Sequence, residues 1–245
     1  GFAGSHLAEF LVARGDEVSG LARPLEGFSN LASVEGRILL RTSDICDLEP
    51  LAEAISSSRP DHVYHLAGFA ATGRSYDEPL QAYRVNALGT AVLLEAIRRS
   101  GLRPRVLVVG SAESYGRAGS SGPIAEKTPL RPISPYGASK AAAEMFAIAA
   151  FEGARIETVR ARAFNHTGPR RGDVFVSSNF AKQIVEIEKG RREPVIRVGN
   201  LEAVRDFVDV RDVARAYDLA LEKGVPGEVY NIATGVGVKI KDLLA

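Results

Sequence analysis

A single cysteine, Cys46, stands in the 245 residues. An intrachain disulfide is thereby excluded, and a reducing cytoplasmic setting is expected. Apolar residues make up 45% of the chain. They never run to the ~20 in succession that a membrane-spanning helix requires, so no membrane partner is expected. Charge of neither sign dominates: 31 Lys and Arg against 30 Asp and Glu leave a formal +1. A nucleic-acid footprint shows as a basic excess or stripe, and none is present. The densest basic pairs, Arg170–Arg171 and Arg191–Arg192, read as solvated surface. The histidines (His6, His62, His65 and His166) lack the cysteine or carboxylate spacing of metal ligands, so no metal is expected. No signal peptide is visible. The chain opens on Gly1 inside what reads as a motif and closes on Lys239–Ala245, the apparent start of a helix, so truncation at both ends is the expectation.

What is present is a regular alternation of strand and helix patterns. Strands are predicted at Glu17–Leu21, Arg37–Leu40, His62–Ala67, Arg105–Gly110, Ile156–Arg162 and Glu228–Ile232. Of these, RVLVVG at Arg105–Gly110 is the most plainly buried: β-branched, uncharged after its first residue and ended by glycine. Helices are predicted at Ser5–Arg14, with Gly15 at its C′ position, and at Leu48–Ser58 and Pro79–Ser100. Further helices are expected at Pro135–Glu152, Asn179–Lys189 and Asp212–Lys223. Alternation of this kind argues for an α/β, doubly wound parallel sheet covered on both faces. The irregular stretches Gly116–Pro135 and Thr167–Ser178 both follow strands, where doubly wound folds carry their ligand sites.

The opening Gly1-Phe2-Ala3-Gly4-Ser5-His6 has the composition of a phosphate-binding turn. Such a turn uses glycines for a tight bend and close backbone approach, and the next helix offers unpaired N–H groups to phosphate. Gly1 and Gly4 would be the last two of three glycines, with the first strand of the sheet absent. The second strand ends at Leu21-Ala22-Arg23. An acidic residue there would hold the ribose hydroxyl of NAD. Arg23 suits the extra phosphate of NADP instead, so NADP is the expected cofactor, with NAD the alternative. Asp44-Ile45, after the next strand, are placed to meet the adenine.

Tyr136 and Lys140 stand four apart in SPYGASK, at the start of an alanine-rich helix, and so share a face. An ammonium beside a phenol favours the phenolate, drawing a pKa of ~10 towards neutrality. Tyr136 is then a general acid/base for a sugar hydroxyl. Ser111 follows the strand Arg105–Gly110, where its hydroxyl can meet the reacting oxygen, and Asn86 lies on the intervening helix.

Gly1–His6, His65-Leu66-Ala67, Asn86 with Gly89-Thr90, Ser111, Tyr136-x3-Lys140 and Arg205-Asp206-Phe207 follow one another over essentially the whole chain. In this order they resemble the extended short-chain dehydrogenase/reductases. The resemblance implies a Rossmann-type domain over residues 1–162 and a nucleotide-sugar-binding part, interleaved with the sheet, over 163–245. It implies catalysis by Ser111, Tyr136 and Lys140, with Asn86 supporting a proton relay. Cofactor contacts are implied at Gly1, Phe2, Gly4, Arg23, Asp44, Ile45, Leu66, Ala67, Asn86, Tyr136 and Lys140. A homodimer built on the helices Pro79–Ser100 and Pro135–Glu152, or a tetramer, is implied as well.

The second half narrows the resemblance. FNHTGPRRGDVFV, VIRVGNLEAVRDFVDVRDVARAY and PGEVYNIATG are similar to the GDP-mannose 4,6-dehydratases and the GDP-4-keto-6-deoxymannose reductases. This implies a GDP-linked sugar as substrate, with contacts at Asn165, Val176 and Arg205. Glu113, two residues after Ser111, matches the dehydratases, whose chemistry needs a carboxylate to remove the C5 proton once C4 is a ketone. Three features point away from the dehydratases: Arg23-Pro24 where they have two arginines, Asn179 where they have a basic residue, and Thr72-Gly73-Arg74-Ser75, which looks more like the reductases. Dehydratase is the leading expectation. The alternatives are the reductase, another sugar-nucleotide epimerase, and a cofactor-binding protein without turnover.

Overall fold

The computed structural model describes residues 1–23, 27–117 and 122–244. Helix α1 (Phe2–Arg14) stops at Gly15, whose left-handed φ of 98° ends it. Strand β1 (Val18–Ala22) and strand β2 (Ile38–Thr42) follow, then α2 (Leu48–Ser58) and β3 (His62–His65). Two single-turn helices come next, α3 (Arg74–Asp77) and α4 (Pro79–Ala82), then a π-helical turn at Tyr83–Leu88 and α5 (Gly89–Ser100). Strand β4 (Arg105–Ser111) leads into a 3-10 turn (Ala112–Tyr115) and α6 (Pro135–Ala154). The rest is β5 (Thr158–Ala163), β6 (Asn165–Thr167), α7 (Val176–Glu188), β7 (Val204–Asp209), α8 (Val210–Lys223), β8 (Val229–Ile232), β9 (Gly237–Lys239) and α9 (Ile240–Leu244).

The expected α/β, Rossmann-type parallel sheet is present, but it is split. β3, β4, β5 and β8 form one parallel four-stranded sheet in that order, and β1 and β2 pair parallel in a separate two-stranded sheet. β1 and β3 share no ladder, yet both rest on the same apolar clusters. Leu21 and Val63 join one cluster, and Val18 and Tyr64 join the other. A third, small sheet sets β7 between parallel β6 and antiparallel β9.

β4 and β5 lie at the centre with helices on both faces. Val106, Leu107, Val108, Val159 and Ala161 are fully buried, and α6 and α8 pack against both strands. α6 begins where expected: Ser134 caps it by accepting the Gly137 N–H at 3.0 Å, with Pro135 in the first turn.

Several sequence expectations need correction. Pro79–Ser100 is not one helix, because the π-turn inserts between α4 and α5. Such turns shift the side-chain register and recur at functional sites; here Asn86 ends up 1% exposed. The stretch 167–178 is shorter than expected, since α7 begins at Val176 rather than Asn179. α3 and the strands β6, β7 and β9 carry no pattern long enough to be read from sequence. Among the described residues, no helix is long and apolar enough to cross a membrane, and no group of three or more His, Cys, Asp or Glu is placed to hold a metal ion.

Candidate active site

Ser111 is the last residue of β4, and its strand register opposite Ala163 of β5 fixes it at the carboxyl edge of the sheet. Its hydroxyl oxygen accepts the Glu113 N–H at 3.2 Å, which opens the 3-10 turn Ala112–Tyr115. Glu113 sits on that turn, half-buried. The start of α6 lies directly against it. A Cβ on Gly137 would come within 2.5 Å of the Glu113 carbonyl oxygen, so only glycine permits this approach. The Glu113 turn and Tyr136 are thereby brought together.

Lys140, one turn into α6, is buried, and its ammonium donates to the Val109 carbonyl at 2.9 Å. Burial pulls it down from its usual value to about 8, and the Glu144 carboxylate opposes this. Burial pushes the Tyr136 phenol up. A hydrogen bond with Ser111 and the charge of Arg171 act against burial, and Glu113 adds to it. The expected depression of Tyr136 by Lys140 is therefore not what these side chains produce. Desolvation prevails, and the ammonium is directed at a backbone carbonyl.

Asn86 ties the supports together. Its Nδ2 donates to Ser139 Oγ at 2.8 Å and to the Phe69 carbonyl at 3.1 Å, while its Oδ1 accepts the Phe69 N–H at 2.8 Å. Ser139 Oγ in turn donates to the Tyr136 carbonyl at 2.7 Å. From below, the Thr90 hydroxyl donates to the Asn86 carbonyl at 2.6 Å and meets His65 Nε2 at 2.8 Å. Burial, with the Lys140 charge, holds that imidazole down to about 3, so it is neutral. The motif residue Gly89 also has a packing reason: a Cβ there would come within 2.7 Å of Ile45 Cγ2.

The other expected residues lie on several elements. Gly1, Phe2 and Gly4 begin α1, and Leu66 and Ala67 follow β3. Asp44 follows β2, and its carboxylate is held low by the Cys46 N–H and by Arg84, which it meets at 2.9 Å. Arg23 follows β1 and is exposed; Pro24 lies outside the described residues. Cys46 is half-buried rather than buried, its thiol donating to the Arg84 carbonyl at 3.3 Å. Asn165 and Arg205 are exposed on β6 and β7, and Val176 opens α7. Asp206 of the late motif has a structural task, because its carboxylate accepts the Thr234 and Gly235 N–H groups at 2.9 and 2.7 Å.

Two arginines read as solvated surface belong to this site or its rim. The Arg171 guanidinium lies 3.4 Å from the Phe175 ring centroid and 4.8 Å from that of Phe2. Its Nε is buried with no hydrogen-bond partner among the described residues, and burial lowers the guanidinium to about 10. Phe2 stacks on His166 with centroids 5.8 Å apart. Arg170 binds Glu9 at 2.6 Å, which docks the 168–172 segment on α1. The signal available was the Pro-Arg-Arg-Gly run, but a charge pair alone does not reveal aromatic neighbours.

The sequence profile of the GDP-mannose 4,6 dehydratase family matches residues 1–245. The chain belongs to this family. Membership places it among the dehydratase and reductase enzymes of the short-chain dehydrogenase/reductase superfamily. The GDP-6-deoxy-D-mannose reductase of Pseudomonas aeruginosa is 34% identical over 247 residues, covering 100% of this chain and 75% of that protein. The GDP-mannose 4,6-dehydratase of Vibrio cholerae is 32% identical over 253 residues, covering 98% of this chain and 67% of that protein. The solved structure of RMD from Pseudomonas aeruginosa, complexed with NADPH, superposes with a TM-score of 0.84 at 31% identity over 100% of this chain and 78% of that one. This member of the GDP-mannose 4,6 dehydratase family thus resembles proteins of both activities about equally, and spans two thirds to three quarters of their lengths.

Proposed function

We propose that the chain is a GDP-mannose 4,6-dehydratase, converting GDP-mannose to its 4-keto-6-deoxy product. Glu113 carries this reading: a carboxylate two residues beyond Ser111, on a turn packed against the start of α6.

The residues present fit a nicotinamide dinucleotide. Among the described residues, a Cβ at Gly1 or Gly4 would meet nothing within 4 Å beyond its chain neighbours and its own helix, so packing against the rest of the protein does not require glycine there. Beside that turn, the buried Arg171 Nε has no hydrogen-bond partner among the described residues. Gly1, Phe2, Gly4, Leu66, Ala67 and Asn86 would hold the dinucleotide, with Asp44 and Ile45 at its adenine. Arg23 would meet the extra phosphate of NADP. When bound, the nicotinamide supplies the hydride acceptor for C4 and the hydride donor for C6.

The chain's own residues move the protons. Tyr136, hydrogen-bonded to Ser111, takes the proton of the C4 hydroxyl, with Ser111 orienting that oxygen. Lys140 anchors the helix through Val109 and presents its charge along the α6 face that Tyr136 shares. Glu113 then removes the C5 proton, made acidic by the new ketone, and passes it to the C6 hydroxyl, which leaves as water; Tyr136 afterwards returns its proton to C5. Asn165, Val176 and Arg205 contact the nucleotide-sugar, and residues 163–245 supply that side of the site.

A homodimer is part of this proposal. α5 and α6 present an apolar groove lined by Ala91, Leu94, Phe146 and Ala150, with Phe146 40% and neighbouring Met145 48% exposed.

The reductase is the second reading, and Asn179 favours it. Both ends of that side chain are engaged inside the protein: Nδ2 donates to the Asp173 carbonyl at 3.1 Å, and Oδ1 accepts from Gln183 at 2.6 Å. It therefore offers no cation to a nucleotide. Product analysis by NMR after incubation with GDP-mannose and catalytic NADP separates the two. A 4-keto-6-deoxy sugar supports the dehydratase. Unchanged GDP-mannose, with NADPH consumed by the 4-keto-6-deoxy sugar, supports the reductase.

A further inference from the structure

Beneath the site lies a buried ionic network that the reaction does not use. Glu144, on α6 one turn beyond Lys140, is 0% exposed. Its two carboxylate oxygens accept Arg162 Nε at 3.1 and 2.9 Å, and Oε2 meets Arg162 Nη2 at 2.8 Å. Arg162 Nη1 donates to the Tyr115 hydroxyl at 2.8 Å and to the Glu126 carbonyl at 2.9 Å. The Tyr115 hydroxyl donates onward to Asn231 Oδ1 at 2.7 Å. Asn231 closes the network by donating from its backbone N–H to Glu126 Oε1 and from Nδ2 to the Ile124 carbonyl, at 2.9 and 2.8 Å. A Cβ on Gly110 would come within 2.6 Å of Glu144 Oε1, so β4 is shaped to admit this carboxylate.

Burying two charges is costly unless every donor and acceptor is matched, and an apolar pair of similar volume often serves stability as well. The network is better explained by what it joins. One end is α6, which carries Tyr136 and Lys140. The other is Tyr115, the last residue of the one-turn helix that carries Glu113. A single 3-10 turn has little stability of its own. Besides the close packing of Gly137 on the Glu113 carbonyl, its other hydrogen bonds among the described residues include a 3.2 Å contact at Ser111, a marginal 3.5 Å contact from Ser114 to the Gly137 carbonyl, and the Arg131 N–H on the Ser114 carbonyl at 3.1 Å. Tyr115 is 0% exposed, and its ring also lies 4.7 Å from the Arg162 guanidinium.

We infer that Tyr115, held by Arg162, Glu144 and Asn231, is a positioning residue that fixes the Glu113 turn relative to Tyr136. This rests on the dehydratase reading, in which Glu113 takes the C5 proton. Tyr136, Lys140 and Ser111 have supports independent of the Tyr115 hydroxyl, in Val109, Ser139 and the β4–β5 ladder. Loss of that hydroxyl should therefore disturb the Glu113 step selectively.

The test is Tyr115→Phe, which keeps the ring and its packing. Hydrogen–deuterium exchange is followed on the protein alone, and single-turnover absorbance of the dihydronicotinamide is followed with GDP-mannose. Amides 112–116 should exchange faster while those of β4 do not. The absorbance should rise at the wild-type rate but decay roughly 10- to 100-fold more slowly, as misplacement of one catalytic group implies. Arg162→Met, which removes the donor while leaving the Tyr115 hydroxyl, should give the same pattern if it folds. Unchanged exchange, or equal slowing of rise and decay in Tyr115→Phe, overturns the positioning role. If the wild-type protein fails to dehydrate GDP-mannose, the dehydratase reading fails, and this role falls with it.

Discussion

The Lys140 ammonium donates to the carbonyl oxygen of Val109 at 2.9 Å, two residues before Ser111 on the same strand. A cation that burial has drawn down to about 8 is thus kept inside the sheet's carboxyl edge. The unfolded chain carries the same lysine near its ordinary 10.5. Below pH 8 both states are protonated and the folded state bears the whole penalty. Between pH 8 and 10.5 the unfolded state binds more protons, so folding stability rises with pH. Lys140→Met should therefore stabilise the protein by ~1–3 kcal/mol at pH 7, the cost of desolvating the ammonium less its lost hydrogen bond. The gain should fade by pH 10.5, and turnover should be lost. Urea unfolding at pH 7 and pH 10 checks both signs. A destabilised variant at pH 7 would mean that the ammonium's contacts outweigh its desolvation.

The Tyr136 phenol is the second test. Tyr136→Phe should lower kcat by 10²–10⁴ with little change in cofactor affinity, the usual range for losing acid–base catalysis. The charge of Arg171 opposes the effect of burial on this phenol. Arg171→Met should therefore raise the phenol further, moving the rising limb of the kcat–pH profile to higher pH. A limb that stays in place would detach Arg171 from Tyr136.

The proposed preference for NADP turns on Arg23. Calorimetric titration should show tighter binding of NADP than of NAD. Arg23→Ala should weaken NADP by ~1–3 kcal/mol, the range for a charged hydrogen bond, and NAD by less. Equal losses for the two would assign Arg23 no part in the choice.

The legible parts of the sequence were those with a period or a fixed order. The apolar run of β4 announced a central strand. Ser134-Pro135 announced the start of α6, the helix that carries Tyr136 and Lys140. The π-turn that buries Asn86 left no trace, because an extra residue per turn changes register without changing composition. β5 was read as a strand, but TVRARA also looks half-exposed, whereas all six of its residues are buried. Arg162 is inside because Glu144 arrives from another element, and no local pattern encodes that meeting. Arg171 was misread for the same reason: its aromatic neighbours Phe2 and Phe175 come from the far end of the chain and from the next turn.

The central claim is that Glu113 performs elimination after oxidation, and a single-turnover measurement on Glu113→Gln tests it most directly. The amide keeps the side chain's size and removes its basicity. With GDP-mannose and NADP, the dihydronicotinamide absorbance should appear in the variant and persist, with no 4-keto-6-deoxy product. In the wild-type protein it should be transient. The account is contradicted if the wild-type protein leaves GDP-mannose untouched and consumes NADPH with the 4-keto-6-deoxy sugar, while Glu113→Gln runs that reaction at a near-normal rate.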